Sequence, residues 1–306
     1  MKLSLNLENI GRLPIAVKTP VIREGDDLIQ IVIDSILKAV GEFHDGAIIC
    51  ITEAVAAIAQ GNFVTPEDIQ KAISEKYPGE SEILLLFPIQ SRNRFMNIPK
   101  AIAEMPQIDK IYVALTYPTD EVGNRLVSDE AISDVGINPY EDILTAKKFY
   151  EKFGKPCHPF TQKDYIHEFN AACCGKAKVV LGNSVHGILK KCGFCKNVLV
   201  CTIREDKRRL HKSEVEKIKA VTNVFDLSDI LSEPSINSGY SPEYGLYGSN
   251  MMADGKLKLM PRACHTLVTD LKNRILEEYG KRVDVMIFGD GAFKDPVGGI
   301  WELADP

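Results

Sequence analysis

Apolar and polar residues recur along this chain with two different periods, and these periods predict its secondary structure. In "TPVIREGDDLIQIVIDSILKAV" the apolar positions fall three or four apart, which predicts an amphipathic helix that Asp26 or Asp27 can cap. "TPEDIQKAI" predicts another helix, with Thr65 as the cap and Pro66 in the first turn. The short apolar runs "DGAIICIT" and "EILLLFPI" predict buried strands, and "KLSLNL" predicts an edge strand.

The pattern changes at about residue 91, where strand-like runs begin to alternate with helical ones. The alternation runs through "IYVALTY", "PYEDILTAKKFYEKFG", "DYIHEFNAACC", "AKVVLGN", "SVHGILKKCG", "KNVLVCTI", "SEVEKIKA" and "VTNVFDLSDIL". It predicts a small parallel sheet covered by helices. We therefore expect an α/β (α+β) protein with three segments: an N-terminal lobe over 1–90, an inserted α/β domain over 91–235, and a return to the first fold over 236–306.

Two features of the last segment complete this outline. Residues 232–250 are rich in Ser, Pro, Gly and Tyr, which is typical of a linker or of an ordered functional loop. "RACHTLVTDLKNRILEEYG" then predicts an amphipathic helix ending at Gly280, and "RVDVMIFG" predicts a strand.

Composition narrows the class of protein. The chain has 306 residues, 45% of them hydrophobic, which allows two domains or one domain with a large insertion. Its net charge of −5 is spread evenly, so it offers no basic surface for nucleic acid or for anionic membranes. No stretch resembles a signal peptide or a membrane span. We expect a cytoplasmic protein without nucleic-acid or membrane partners.

The last predicted strand opens into an acidic turn, "VMIFGDGAFK". Asp290 stands between Gly289 and Gly291 at the end of the strand. Ligands of open α/β sheets bind beyond the carboxyl ends of strands, and a carboxylate there can hold Mg²⁺ or Mn²⁺. The alternative is an Asp that merely caps a turn.

Three other stretches combine polar groups with predicted turns or strand ends. Arg92 and Arg94 in "SRNRF" follow a predicted strand and are suited to gripping a carboxylate or phosphate, or else form surface ion pairs. "GLYGSN" places Ser249 and Asn250 beside glycines, as a ligand loop or as an ordinary turn. "REDKRRLHK" is expected to be a solvated loop and the start of a helix.

Eight cysteines raise the possibility of metal or redox chemistry. Cys192 and Cys195 in "CGFC" follow the adjacent pair Cys173 and Cys174, and four thiols in two groups are compatible with zinc. Adjacent thiols do not easily point at one metal, so buried free cysteines are the favoured interpretation. His186 is interpreted as a residue at the start of a helix rather than as a ligand.

Taken in order, these motifs resemble the coenzyme F420-0:L-glutamate ligase family. The resemblance lies in "TPVIREGDDLIQIVIDSIL…DGAIICITEAVAAIAQGNFV" (18–62) and in 245–294, where "GLYGSN", an amphipathic helix and "VMIFGDGAFK" follow one another. It implies an α/β fold with a ligase-like core, GTP as a cosubstrate, Mg²⁺ or Mn²⁺ as cofactor, and a homodimer. It also implies that the family's distal half lies beyond residue 306, so that the chain is expected to be either a fragment of a longer protein or a reduced relative.

The resemblance transfers roles to particular residues. It implies a nucleotide-binding set comprising Thr19, Pro20, Val21, Ile22, Glu53 and Asn250, and a metal ligand, Asp290. Glu53 stands where the family has a Ser. The family's two nucleotide-binding lysines are replaced by Ala54 and Ile58, its second metal-binding Asp by Tyr247, and the residue after its metal Asp by Gly291. Arg92, Arg94 or Lys294 can supply the missing positive charge, and Glu53 the missing acid.

The activity implied is an amide ligation of the γ-glutamyl type. A small carboxylate takes a phosphoryl group to become an acyl phosphate, and the amine of an amino acid then attacks it. The alternative is a non-catalytic ligand-binding protein on the same scaffold, because the lysines and one metal-binding Asp are absent. The sequence names neither the acid, the amine nor the nucleotide.

Overall fold

A computed structural model describes residue 11 and residues 13–90, 95–159, 161–235 and 238–289, together with the backbone of two short strands, 291–294 and 301–304. Contacts divide the chain into two compact units. Unit 1 comprises Met1–Gln60 and Ala263–Phe288, and unit 2 comprises Gly61–Arg262 and Gly289–Pro306.

Helices and strands alternate through most of the described chain. The helices are α1 Leu28–Val40, α2 Glu53–Ala59, α3 Pro66–Lys76, α4 Asn97–Glu104, α5 Asp129–Val135, α6 Ala146–Phe153, α7 Tyr165–Ala172, α8 Val185–Lys191, α9 Glu205–Glu216 and α10 Cys264–Tyr279. The strands are β1 Ile48–Thr52, β2 Phe63–Val64, β3 Glu82–Leu86, β4 Lys110–Leu115, β5 Leu144–Thr145, β6 Ala177–Leu181, β7 Asn197–Val200, β8 Asn223–Asp226, β9 Asn250–Met251, β10 Leu257–Lys258, β11 Asp284–Phe288, β12 Gly291–Lys294 and β13 Trp301–Ala304.

Unit 1 is built on two parallel strands and two long helices. The Asp27 side chain accepts a hydrogen bond from the Gln30 amide and so caps α1, as the sequence predicts. Strands β1 and β11 pair in parallel, from Ile48 opposite Asp284 to Thr52 opposite Phe288. The apolar faces of α1 and α10 share one core with the inward side chains of β1.

Unit 2 contains a six-stranded sheet in the order β5-β6-β4-β3-β7-β8. All of its pairs are parallel except β5 with β6. Numbered along the chain, the parallel strands lie in the order third, second, first, fourth and fifth, which is the arrangement of a doubly wound sheet. The predicted parallel sheet is thus confirmed. A smaller sheet, β2-β10-β9, belongs to the same unit.

Helices cover both faces of this sheet because its central strand is apolar on both sides. Ile83 and Leu85 of β3 pack into one core with α3, α4 and α7, whereas Leu84 and Leu86 pack into a second core with α8 and α9. A strand buried on both faces reads as a continuous apolar run, which is why "EILLLF" shows no alternation. Capping reinforces the packing: Thr65 and Asp68 form a reciprocal capping box at α3.

Two sequence predictions were wrong in detail. The run "PYEDILTAKKFYEKFG" contains a short strand, β5, and its helix begins only at Ala146, with Thr145 as the cap. The charged run 204–212 starts helix α9 at Glu205 and is largely exposed, as expected, but Arg208 within it is buried. Tertiary charge pairing, described below, explains the second difference.

The three predicted segments do not coincide with the two compact units. Strand β3 lies before residue 91, yet it pairs with β4 and β7 of the segment predicted as an insertion. Whether residues 91–235 were inserted into an older core stays a prediction. The predicted edge strand "KLSLNL" falls outside the described residues.

Candidate functional site

In unit 1 the parallel pairing of β1 and β11 brings their carboxyl ends to one edge. Thr52 and Phe288 are register partners at that edge. Glu53 follows Thr52 directly and opens α2, where its carboxylate faces the positive end of the helix dipole. Gly289 follows Phe288, and Asp290, the predicted metal ligand, lies outside the described residues. Unit 1 therefore brings Glu53 to the edge at which β11 ends.

The predicted nucleotide-binding turn, residues 19–22, precedes α1 in the same unit. Thr19, Pro20 and Val21 are exposed and lack regular secondary structure, while Ile22 packs against the core of unit 1. The Gly25 amide donates to the Ala59 carbonyl at 3.0 Å, which fixes the chain beside the end of α2. The segment thus offers an exposed backbone close to a fixed turn.

Asn250, the remaining predicted nucleotide ligand, belongs to unit 2. It opens β9, and its side-chain amide lies 3.4 Å from the Gly248 carbonyl. Ser249 beside it is buried, with 2% of its surface exposed. The "GLYGSN" stretch is therefore an ordered turn whose hydroxyl faces the interior.

Tyr247, which stands where the family has a metal-binding Asp, has a structural partner. Its ring lies 4.3 Å from the guanidinium carbon of Arg208 and is almost completely buried. This cation–π contact fixes the turn to α9 and leaves no carboxylate at the position.

Arg208 belongs to a buried ionic cluster at the end of β8. Its Nε lies 3.7 Å from Asp226 Oδ2, which is an ion pair without a hydrogen bond, and the Asp226 carboxylate accepts hydrogen bonds from Ser228 and from Lys212. Lys212 bridges Asp226 to Asp229. Burial acts to raise the pKa of Asp226, but the hydrogen bonds from Ser228 and the charges of Lys212 and Arg208 outweigh it, so the pKa lies below its usual value. Asp226 is thus held as a carboxylate.

His211 lies one turn further along α9, against the ends of β3 and β7. Its Nδ1 is 2.9 Å from the buried Thr202 hydroxyl, and its ring contacts Phe87 edge-on at a centroid distance of 4.8 Å. Burial, together with the charge of Lys207, lowers the pKa of His211 to about 4. The imidazole is therefore neutral at neutral pH.

A neutral, partly buried histidine makes the free energy of unfolding depend on pH. Below the unfolded pKa of about 6.5 the unfolded chain takes up a proton that the folded chain binds only near pH 4, so stability falls as the pH drops through this window. The difference between the folded and unfolded pKa values corresponds to about 3 kcal/mol of unfolding free energy. We expect about half of this value because the ring is partly exposed.

Urea denaturation at pH 7 and pH 4 checks this expectation. His211→Gln removes the group that titrates. Between pH 7 and pH 4 its free energy of unfolding should therefore fall by about 1–2 kcal/mol less than that of the wild type. His167→Gln, which changes an exposed histidine of α7, is the control and should follow the wild type. An unchanged pH dependence in His211→Gln would contradict the assignment.

The cysteines do not converge on a metal. Cys173 packs in one core of the doubly wound sheet, whereas Cys192 and Cys195 pack in the core on the opposite face. Burial raises the pKa of both Cys173 and Cys192 to about 12. These three thiols are apolar packing residues, as the favoured sequence interpretation has it, but that interpretation was wrong for Cys174, which is exposed. His186 occupies the first turn of α8 and contacts Phe194.

The remaining predicted ligands have side chains that lie outside the described part of the chain. Arg92 and Arg94 lie outside the described residues, and for Lys294 only the backbone, in β12, is described. Among the described residues, no three His, Cys, Asp or Glu side chains are grouped as a metal site. No helix in the described part combines the length and the apolar character needed to cross a membrane.

Comparison with known proteins assigns the chain to a family. The family model described as F420-0:Gamma-glutamyl ligase matches residues 16–306. The chain belongs to the F420-0:gamma-glutamyl ligase family. No curated protein was found to match it.

Membership of the F420-0:gamma-glutamyl ligase family confirms the resemblance drawn from "GLYGSN" and "VMIFGDGAFK" and extends it over the segment 91–235. The sequence interpretation missed three polar residues at the carboxyl edge of the unit 2 sheet: Arg208, His211 and Glu121. Two of them lie in the charged run that was expected to be solvated. Extending the expected helix over the whole of 204–212 would have placed positions 204, 208 and 211 on one face, which was the available signal.

Proposed function

We propose that this protein is a nucleotide- and divalent-metal-dependent amide ligase of the γ-glutamyl type, joining an amino acid to a small carboxylate. The family match over residues 16–306 carries the proposal. The edge of unit 1 where β1 and β11 end supports it, because Glu53 and the glycine-flanked Asp290 follow these two strands. A homodimer and a cytoplasmic location stay predictions from the resemblance.

The chemistry explains why a nucleotide is needed. A carboxylate cannot expel an oxide ion, so one of its oxygens first attacks the terminal phosphorus and the nucleoside diphosphate leaves. The unprotonated amine then attacks the carbonyl carbon of the acyl phosphate, inorganic phosphate leaves, and the nitrogen loses a proton. Positioning and charge stabilisation are the protein's main contributions to such a reaction.

A divalent cation would neutralise phosphate charge during phosphoryl transfer. The described residues do not form a site for it by themselves, since Tyr247 is a buried aromatic residue stacked on Arg208. Asp290 is the metal donor that the resemblance implies. Ala54 and Ile58 in α2 offer no charge to the phosphates, so the Thr19–Ile22 turn of unit 1 would contact the nucleotide through backbone groups. Asn250 of unit 2 stays a nucleotide ligand implied by the resemblance alone.

Phosphate release tests the proposal. Wild-type protein should release phosphate from GTP or ATP only when Mg²⁺ or Mn²⁺, an amino acid and a carboxylate acceptor are all present. Asp290→Asn should lower this rate at least about a hundredfold, as expected for loss of a charge-stabilising group. Asp254→Asn, which changes an exposed acid paired with Lys256, is the matched control and should keep the rate. No release from any combination in a panel of acids and amines would rule out the ligase.

A ligand-binding protein without turnover is the second candidate. It is favoured by Ala54, Ile58 and Tyr247, which replace the charged groups that the family uses. Such a protein should be stabilised in thermal melts by nucleotide or metal, as ligand linkage requires, without releasing phosphate. Stabilisation together with release supports the ligase instead.

A further inference from the structure

A cleft opens in unit 2 between the end of α6 and the start of α7. Its volume is about 680 Å³, which lies within the range of sites that hold drug-sized ligands. Its walls include Tyr150 of α6, Gly154 and Lys155 just after that helix, and Asp164 and His167 at the start of α7. Neither the sequence motifs nor the family resemblance gives these residues a role.

The loop between the two helices, which is described except for residue 160, is held by its own main chain. The Tyr165 amide donates to the Pro156 carbonyl at 3.0 Å. Cys157, which also lines the cleft, forms an antiparallel β-bridge with Asp164. The cleft is therefore preformed, so binding of a ligand does not require the loop to become ordered.

Asp164 offers a partly exposed carboxylate to the cleft. Its Oδ1 accepts from the Ile166 and His167 amides at 3.0 and 3.2 Å, which caps α7, and its Oδ2 accepts from the Tyr150 hydroxyl at 2.9 Å. Burial and this last hydrogen bond raise the pKa of Tyr150, so the hydroxyl remains a donor. A carboxylate has about four acceptor sites, so Asp164 can accept a further hydrogen bond from a ligand.

Lys155 supplies the opposite charge to the same cleft. It is exposed and makes no ion pair within the described part of the chain, whereas Lys163 of the same loop is paired with Glu168 at 3.0 Å. Gln162 adds a neutral group, because its Nε2 donates to the Pro159 carbonyl at 2.8 Å and its Oε1 is left to accept. The described walls thus present a carboxylate, an ammonium group and an amide oxygen.

We propose that this cleft binds a short peptide with free termini. The Asp164 carboxylate accepts from the N-terminal ammonium group, Lys155 donates to the C-terminal carboxylate, and Gln162 Oε1 accepts from a peptide amide. The volume of about 680 Å³ is larger than a single amino acid needs, which favours a peptide over a free amino acid. The inference goes beyond the proposed ligase reaction, because this site needs neither nucleotide nor metal.

Calorimetric titration without nucleotide or metal tests the site. Triglycine carries both terminal charges, N-acetyl-triglycine lacks the ammonium group, triglycinamide lacks the carboxylate, and glycine carries both charges without a peptide bond. Triglycine should bind at least about tenfold more tightly than each of the other three probes, as expected for the loss of one hydrogen bond between charged groups.

Two variants assign each terminal charge to its partner. Lys155→Met should weaken triglycine at least about tenfold and leave triglycinamide unchanged. Asp164→Asn keeps a capping residue for α7 and an acceptor for Tyr150, and it should weaken triglycine while leaving N-acetyl-triglycine unchanged. Lys191→Met is the matched control, because Lys191 is an exposed lysine of α8, on the opposite face of the sheet, and it should bind triglycine as the wild type does.

The outcomes that overturn the proposal are distinct from those of the ligase assay. The proposal is wrong if triglycine binds no more tightly than glycine or than either single-charge probe, or if either variant binds triglycine as the wild type does. Because Lys155 is exposed, its variant reports on the site even if Asp164→Asn fails to fold. No turnover is measured, so failure of the ligase assay leaves this result standing.

Discussion

Asp226→Asn is expected to lower the free energy of unfolding by about 3 kcal/mol or more, since removing one partner of a buried ion pair leaves the other charge uncompensated. Arg208 and Asp226 have side chains that are only 8% and 7% exposed. Asparagine keeps the shape and the acceptor for Ser228 but removes the charge that faces Arg208 and Lys212. Against a typical stability of about 5–15 kcal/mol, the loss is large.

Urea denaturation followed by far-UV circular dichroism measures this loss, with two controls in the same cluster. Asp229→Asn changes an acid that is 30% exposed and pairs only with Lys212 among the cations of the cluster, so it should cost about 1 kcal/mol or less. The double variant Asp226→Asn with Arg208→Met removes both buried charges and should be more stable than Asp226→Asn alone. A cost below about 1 kcal/mol for Asp226→Asn would show that the cluster is not a stabilising feature.

The pH dependence of this effect has a definite sign. The pKa of Asp226 is lower in the folded state than its usual 3.8, so the carboxylate stabilises the fold above that value. This contribution is lost as the pH falls through the folded pKa, below 3.8. The difference between wild type and Asp226→Asn should therefore be constant at neutral pH and shrink only in strong acid.

Local signals in the sequence predicted most of the elements because capping and apolar period act over a few residues. Asp27, one of the two candidates, caps α1, and Thr65 caps α3 as predicted. The order of the strands in the sheet could not be predicted in this way. Alternation of strand and helix predicts a parallel sheet, but the position of β7 beside β3 rests on contacts more than a hundred residues apart, which no local pattern encodes.

The polar residues at the carboxyl edge of the unit 2 sheet depend even more on contacts between residues that are far apart in the sequence. In the sequence nothing distinguishes Arg208 from the charged residues around it, because its partners Asp226 and Tyr247 lie far along the chain. Glu121 likewise becomes unusual only when the fold buries it opposite Lys207. The glycine-flanked Asp290 could be picked out early, since a strand followed by Gly-Asp-Gly is a local pattern, and its role stays a prediction that the ligase assay tests.

Gly245→Ala is expected to be among the most destabilising single substitutions in unit 2, at about 3–4 kcal/mol, the sum of a backbone overlap and a left-handed conformation. A Cβ at this position would lie 2.4 Å from the Ile230 carbonyl oxygen and 2.7 Å from those of Leu227 and Ser228. Gly245 has φ +52°, and its amide donates to the Ser241 carbonyl. Carbonyl oxygens of a fixed turn cannot move aside as a flexible side chain can.

Gly255→Ala is the matched control, because Gly255 also has a positive φ, +84°, yet a Cβ added there would meet no other atom within 4 Å. It should cost only about 1 kcal/mol, the conformational part alone. The difference between the two variants, measured by urea denaturation, isolates the close approach of "GLYGSN" to the turn after β8. Equal costs would mean that the turn can move aside to accept the added Cβ.

The effects of Gly245→Ala and Asp226→Asn on the free energy of unfolding should not be additive. Tyr247 belongs to the same turn as Gly245 and stacks on Arg208, so Gly245→Ala should also weaken the ionic cluster around Asp226.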